Sequence, residues 1–267
     1  MLDLRGVAGM GLQKKKEHIP AQTIGSAHAD RTVNLSERAY QQIRSEILFY
    51  QLRPGCRVSE GSLVTRFKLR QAAVRSALLR LMQEGLIDRT DERSPRVAPL
   101  TLKDVRDIYG LRKLLEPRAV ELAASLGFNS TDLDRLRKIS QSHYELRSHG
   151  ELVRFLRANR DFNMRVASAC GNGRLTETIA HLQDLTLRIL YVGIGSLNVS
   201  QWFQATHLQI VQALETGDAA AAAELWTTDL HYGERLISDA LIKLPELSQV
   251  NLAGSSLARP YAVPTRI

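Results

Sequence analysis

Across residues 101–243 the apolar side chains recur at intervals of three and four, and no stretch alternates with the period of two that a half-buried strand needs. The stretches "LTLKDVRDIYGLRKLLEPRAVELAASLG", "STDLDRLRKISQSHYELRSHG", "ELVRFLRANRDFNMRVASACGNG", "RLTETIAHLQDLTLRILYVGIGS", "NVSQWFQATHLQIVQALETG" and "DAAAAAELWTTDLHYGERLISDALIK" are separated only by short Gly, Ser and Asn joints. About six helices with no strand-like run imply an all-helical bundle. The five alanines 219–223 favour helix and let neighbours approach closely.

The first third is patterned differently. "NLSERAYQQIRSEILFYQL" begins with capping chemistry at Asn34 or Ser36 and carries Leu35, Ala39, Ile43, Ile47 and Leu48 as an apolar stripe. Pro54 and Gly55 make a turn. A short helix is expected around Glu60 to Phe67, and a second from near Arg70 to about Glu84, with Gly85 as its stop. In "LIDRTDERSPRVAPL", Leu86, Ile87, Val97 and Ala98 flank a charged centre, the pattern of a small two-stranded hairpin. Three helices and a hairpin make the order of a winged helix-turn-helix. The chain is therefore mainly α. Residues 34–99 form that unit and residues 101–243 the helical one. A basic arm (1–33) is expected to be flexible, and a tail (245–267) loose.

Charge follows the same division. The 267 residues carry a net charge of +8. Residues 1–99 hold 17 Lys and Arg against 10 Asp and Glu; the remainder holds 19 against 18. The excess sits in the first third, as in a polyanion-binding module joined to a neutral one.

The helix expected from Arg70 to Glu84 carries part of this charge near its start. Leu69, Ala73, Val74, Ala77, Leu78 and Leu81 make its buried side, which turns Arg70, Gln71 and Arg75 outward from its first turns. That is the part of a recognition helix that enters the major groove. Arginine can grip guanine O6 and N7, and glutamine can do the same for adenine. Short Ala72 and Ala73 keep the backbone near the base edges or leave room for a thymine methyl. Seven basic residues lie between Arg53 and Arg80 against Glu60 alone, a density suited to phosphates. Arginine at a helix N-terminus opposes the macrodipole, a conflict that a functional demand for positive charge explains. The rival explanation is a surface helix that is basic without consequence.

"LVTRFKLRQAAVRSALLRLMQEGLI" resembles the helix-turn-helix of the GntR family of bacterial regulators, through Leu63, Phe67, Leu69, Val74, Arg75, Ala77, Leu78, Leu81, Glu84, Gly85, Leu86 and Ile87. The resemblance implies DNA contact from Arg70, Gln71, Ala72, Ala73 and Arg75. Arg70 and Gln71 depart from the usual Ser/Thr and Arg, so the operator is not transferable from relatives. The wing usually reads R-G-x-x-V. Here "RSPRV" keeps Arg93, replaces the glycine with Ser94 and adds Arg96, and both arginines are expected at DNA.

"DVRDIYGLRKLLEPRAVELAA", "NRDFNMRVASACGNGRL" and "HLQIVQALETGDAAAA" resemble segments of the FCD effector domain of the FadR subfamily. This likeness implies a dimerising bundle of six or seven helices that binds a small effector, commonly a carboxylate. Two-fold symmetry would match a palindromic operator. Many such domains hold a divalent metal with one Asp and three His. Their positions here are Asn159, Asn163, His207 and Asp229, so only His207 is retained. Amide oxygens are weak ligands for a transition metal, and no metal or other cofactor is expected. Either these four residues hydrogen-bond a ligand directly, or they form a packed polar core in which His207 and Asp229 satisfy each other. Arg112 is expected to meet an effector acid, with Glu116 as its rival partner one turn on. Arg188 and Tyr191 are further pocket residues on this reading.

The leading expectation is a cytoplasmic, dimeric regulator, a repressor by family habit, that binds double-stranded DNA and responds to an organic acid or a derivative. The alternative is a DNA-binding regulator whose helical domain is structural and ligand-independent. An enzyme is disfavoured: no E-x-x-H, H-E-x-x-H, G-x-S-x-G or phosphate-binding glycine motif occurs. Cys56 and Cys170 form no C-x-x-C pair, and no apolar run approaches membrane-spanning length, so no membrane partner is expected.

Overall fold

A computed structural model describes residues 22–88, 95–145, 148–194 and 198–243, with side chains from Leu35 onward. The first unit comprises α1 (Gln22–Leu48), α2 (Glu60–Phe67), α3 (Gln71–Gln83) and the strands β1 (Ile87–Asp88) and β2 (Arg96–Val97). The strands pair antiparallel, with Ile87 opposite Val97 and Asp88 opposite Arg96. The helical unit comprises α4 (Leu102–Leu126), α5 (Ser130–Ser140), α6 (His149–Ser168), α7 (Gly173–Ile194), α8 (Ser200–Thr216) and α9 (Ala219–Lys243).

Local chemistry sets these boundaries. Ser59 caps α2 in a capping box: its Oγ accepts from the Ser62 N–H at 3.1 Å, while Ser62 Oγ accepts from the Ser59 N–H at 3.3 Å. Thr101 and Asp104 do the same for α4. Gly85, at φ 70°, turns the chain from α3 into β1.

Two boundaries differ from the sequence expectation. α1 begins at Gln22, well before Asn34 and Ser36, so residues 22–33 continue the helix instead of belonging to an arm. No proline separates Pro20 from Pro54, and Asn and Ser are tolerated inside a helix that nothing forces to break. Residues 1–21 of the expected arm and the tail at 245–267 lie outside the described residues. α5 stops at Ser140, short of the single long helix that the sequence suggested. Tyr144 is pulled into the core instead. Its hydroxyl donates to the Ile194 carbonyl and accepts from the Val199 N–H, each at 3.2 Å.

In the first unit Ile43, Ile47, Leu63, Val74, Ala77, Leu81 and Val97 are buried together. α1 packs on α3, and the Tyr40 hydroxyl donates to both carboxylate oxygens of Glu84 at 2.8 and 2.9 Å. In the second unit α4 runs along α9 and also touches α6, α7 and α8. Small residues permit the closest approaches. A Cβ on Gly193 would stand 2.8 Å from Ile237 Cγ1, and one on Gly233 would stand 2.9 Å from the Tyr109 hydroxyl.

The units are joined by side chains as well as by the chain. Tyr50 adopts left-handed φ (59°) just past α1, which places its ring in a stack with Tyr191 of α7 at 5.7 Å. Arg44 of α1 pairs with Asp184 of α7, which also accepts from Arg160 at 2.6 Å. Arg188, one helical turn past Asp184, donates to the Ala98 carbonyl. Burial lowers the pKa of this guanidinium.

Candidate DNA interface and polar core

α3 presents its first turns to solvent. Arg70 is its N-cap residue, in extended backbone with no capping hydrogen bond from its side chain. Arg70, Gln71, Ala72 and Arg75 are exposed, whereas Ala73, Val74, Ala77, Leu78 and Leu81 are buried. Ala73, expected among the DNA contacts, faces the core instead, because the helical period puts it beside Ala77 rather than beside Arg75.

Glu60, which sequence reasoning counted only as an isolated acid, organises this face. Arg75 donates Nε–H to Glu60 Oε1 at 2.9 Å and Nη2–H to Oε2 at 3.0 Å; Gln71 Nε2 donates to Oε2 at 3.3 Å. These hydrogen bonds hold the Glu60 carboxyl below its ordinary pKa. Only the position of Glu60 in the first turn of the preceding helix, facing the groove-reading end of the next, could have signalled the role.

Three further arginines are neutralised or turned. Arg80 pairs with Glu37 and Glu84 and stacks over Tyr40, and Arg66 pairs with Glu46. Arg96 is half-buried, with Nη1 donating to the Gly55 carbonyl at 3.0 Å, so it braces the wing against the preceding turn. Arg93 and Ser94 lie outside the described residues. Lys68 is exposed and ends α2 at φ 52°, a left-handed position where glycine is cheaper.

Within the bundle, Arg112 and Glu116 lie one turn apart on α4 and both are buried. Arg112 Nε and Nη2 donate to Glu116 Oε1 and Oε2 at 2.7 and 3.1 Å. Burial works against charging Arg112, and the Glu116 carboxylate outweighs it, so the guanidinium is held above its ordinary range. Glu116 also accepts from Gln183 Nε2 and Trp226 Nε1, each at 2.9 Å. Asn163 extends the network, donating to Gln183 Oε1 at 3.1 Å. Asn159, one turn earlier, has a buried Oδ1 with no hydrogen-bond partner among the described residues. Gln183 and Trp226 were not singled out from sequence. A lone glutamine amid the apolar run of α7 was the available signal.

His207 lies flat on Phe162, with rings 3.9 Å apart and 2° from parallel. Burial pushes its pKa down to about 3, so the ring is neutral. Asp229 is half-buried and accepts from Trp202 Nε1 at 3.3 Å. Burial pushes its carboxyl up to about 6, while Arg112 and Trp202 oppose the shift. His207 and Asp229 thus have different partners, contrary to the expectation that a packed core would pair them.

This donor set does not fit the metal that the FCD resemblance brings to mind. Two positions are amides, one of them tied to Gln183, and the histidine is stacked face to face on a phenyl ring. No group of three or more His, Cys, Asp or Glu that could hold a metal occurs among the described residues.

Arg188 and Tyr191 are not part of this core. They lie on the side of α7 that meets α1 and the strand-to-α4 connection, where Tyr191 packs on Phe49 and Tyr50 and its hydroxyl is 2.8 Å from His149 Nδ1. Their expected place in the pocket is therefore corrected: three residues of helix carry them to one face, and that face belongs to the domain junction.

A winged helix-turn-helix whose recognition helix displays arginines, joined to a helical bundle, defines a DNA-binding regulator. Comparison with known proteins agrees. Residues 35–97 match the model for bacterial regulatory proteins of the gntR family, and residues 107–232 match the FCD domain. The chain belongs to the GntR family of regulators, with an FCD domain as its second half. It is 28% identical over 147 residues to the HTH-type transcriptional regulator YdhC of Bacillus subtilis (strain 168), covering 55% of this chain and 65% of YdhC. It is 23% identical over 199 residues to the HTH-type transcriptional repressor RspR of Escherichia coli (strain K12), covering 74% of this chain and 87% of RspR. The fold is shared with a transcriptional regulator GntR from Rhodococcus sp. RHA1 (TM-score 0.63, 23% identity, 77% of this chain and 98% of that one). It is also shared with E. coli McbR/YncC (TM-score 0.65, 18% identity, 77% and 97%).

Proposed function

We propose that the protein is a repressor that binds a palindromic operator as a homodimer in the cytoplasm, and that a small effector bound in the FCD domain alters that binding. The single observation that carries the DNA-binding part is α3: Arg70, Gln71 and Arg75 stand exposed on its first turns while its other face closes the core. Two relatives, RspR and GlaR of E. coli (strain K12), are named repressors. A dimer is supported by Leu111 and Leu114, neighbours three residues apart on α4 that are exposed at 49% and 74%. No helix among the described residues is long and apolar enough to cross a membrane.

The effector would be received at the positions that the FCD resemblance marks, Asn159, Asn163, His207 and Asp229, together with Arg112. Because Glu116 occupies the fork of Arg112, a carboxylate effector gains that guanidinium only by displacing Glu116. A ligand that donates hydrogen bonds to Asn159 Oδ1 and Asp229 requires no such exchange. One observation favours the alternative of a structural helical domain: apart from Asn159 Oδ1, the network from Arg112 to Asn163 satisfies itself. A thermal-shift panel of carboxylates, polyols and amines separates these readings, since an effector raises the midpoint by mass action and a structural core responds to none.

The DNA reading is tested by selecting duplexes from random-sequence DNA with the full-length protein. Affinity for the selected duplex is expected to fall steeply with salt. Arg75→Ala is expected to cost about 1–3 kcal/mol on that duplex and much less on a scrambled one. Equal losses on both would reduce Arg75 to a phosphate contact.

A further inference from the structure

The contact between Glu60 and Arg75 determines which edge of the arginine is available. A guanidinium carries five donor hydrogens. The carboxylate takes the lateral pair, Nε–H and one Nη2–H, at 2.9 and 3.0 Å. What remains is the terminal edge, Nη1 and the second Nη2 hydrogen. That edge forms two parallel hydrogen bonds to a guanine's O6 and N7 when an arginine approaches end-on. The side chain of Arg75 is 62% exposed and that of Glu60 31%, so the arginine's tip points to solvent while its flank is held. Gln71, one turn before Arg75, is anchored by the same carboxylate through a single Nε2 hydrogen at 3.3 Å.

Electrostatics makes the arrangement costly. Glu60 is the one carboxylate between Arg53 and Arg80, in a segment otherwise suited to a polyanion, and it stands beside the groups that would meet phosphates. A carboxylate there weakens attraction to every DNA sequence alike. In the first turn of α2 it gains from the helix dipole, as any acid there would; with respect to DNA it gains by restricting how the arginine is presented.

We propose that Glu60 is a positioning residue that sets sequence specificity. By clamping Arg75 from the side it commits that arginine to end-on reading of a base, and it trades general affinity for DNA for discrimination. The inference rests on the proposed base contact by Arg75. Removing the clamp frees Arg75 to swing to a nearby phosphate, so specific and random duplexes become more alike.

The test compares full-length wild type, Glu60→Gln, Glu60→Asp, Arg75→Ala and the double variant Glu60→Gln/Arg75→Ala, with melting curves to confirm folding. Dissociation constants are measured on the duplex selected by the wild type and on a scrambled duplex of equal length. Glu60→Gln is expected to lower the specific-to-random ratio by roughly tenfold while tightening random-duplex binding by about two- to fivefold. Glu60→Asp, which keeps the charge and loses the reach, should lower the ratio without tightening random binding. In the Arg75→Ala background, Glu60→Gln should leave the ratio where Arg75→Ala alone put it. If Glu60→Gln leaves the ratio intact while Arg75→Ala collapses it, Arg75 reads a base unaided and the positioning role is overturned. If Glu60→Gln lowers the ratio equally in both backgrounds, Glu60 acts on DNA without Arg75, and the role is again overturned. If Arg75→Ala itself leaves the ratio unchanged, the base contact fails and the inference goes with it.

Discussion

Lys68 illustrates a residue whose backbone and side chain answer to different demands. Its left-handed φ of 52° at the turn between α2 and α3 suits glycine, yet the exposed ammonium adds charge where a DNA backbone would run. Lys68→Gly is expected to raise stability by up to about 1 kcal/mol, seen as a higher urea midpoint, and to lessen the salt dependence of operator binding by about one phosphate contact. Inside the bundle, His207 and Asp229 act oppositely on stability. His207 titrates at about 3 when folded, below its ordinary 6.5, so it favours the folded state above pH 6.5 and that advantage is lost as pH falls. Asp229 titrates at about 6 when folded, above its ordinary 3.8, so the folded state holds the extra proton and gains stability as pH falls from about 6 to about 4. Urea midpoints between pH 7 and pH 4 should therefore decline more steeply in Asp229→Asn and less steeply in His207→Gln than in the parent. Much at this scale was legible in sequence. Arg70, Gln71 and Arg75 were placed on the outer face by periodicity alone, and Glu116 was foreseen as the rival for Arg112 because four residues on a helix make one turn. The clamp on Arg75 was not legible, because Glu60 reaches it across the α2–α3 turn and only the crossing of the two helices decides the distance.

Among the elements, α3 and the hairpin lie where apolar spacing put them, since buried residues on a short helix leave little choice of face. α5 is the instructive failure. Its pattern continued past Ser140, but burying Tyr144 with hydrogen bonds to Ile194 and Val199 outweighs further helix, and that competition depends on partners fifty residues away. α7 and α9 are held together by the absence of side chains. Gly193→Ala would bring a Cβ to 2.8 Å from Ile237 Cγ1 and 3.2 Å from its Cα, and backbone cannot yield as a side-chain tip can. The expected cost is about 1–3 kcal/mol in urea unfolding. Gly110→Ala, where a Cβ meets nothing within 4 Å, is the matched control and should not destabilise.

At the scale of the molecule, the charge asymmetry seen in the sequence separates a DNA-facing unit from a neutral helical one. The way the two units are joined was not visible there. Asp184, Arg188 and Tyr191 recur at intervals of four and three along α7, which marks a face, but not what that face touches. It touches Arg44, the Ala98 carbonyl and Tyr50, so the DNA-binding unit is seated against the bundle. Arg188→Met, which keeps bulk and removes the donor, is expected to loosen this seat. Calorimetry should then resolve two separate transitions where the parent unfolds in one.

Gln183 and Asp184 are consecutive residues of one rigid helix. The former grips Glu116 in the buried network, and the latter holds Arg44 of the DNA-binding unit. The core proposed to receive the effector and the DNA-reading head therefore hang on a single axle, and a ligand that turned α7 would swing both at once.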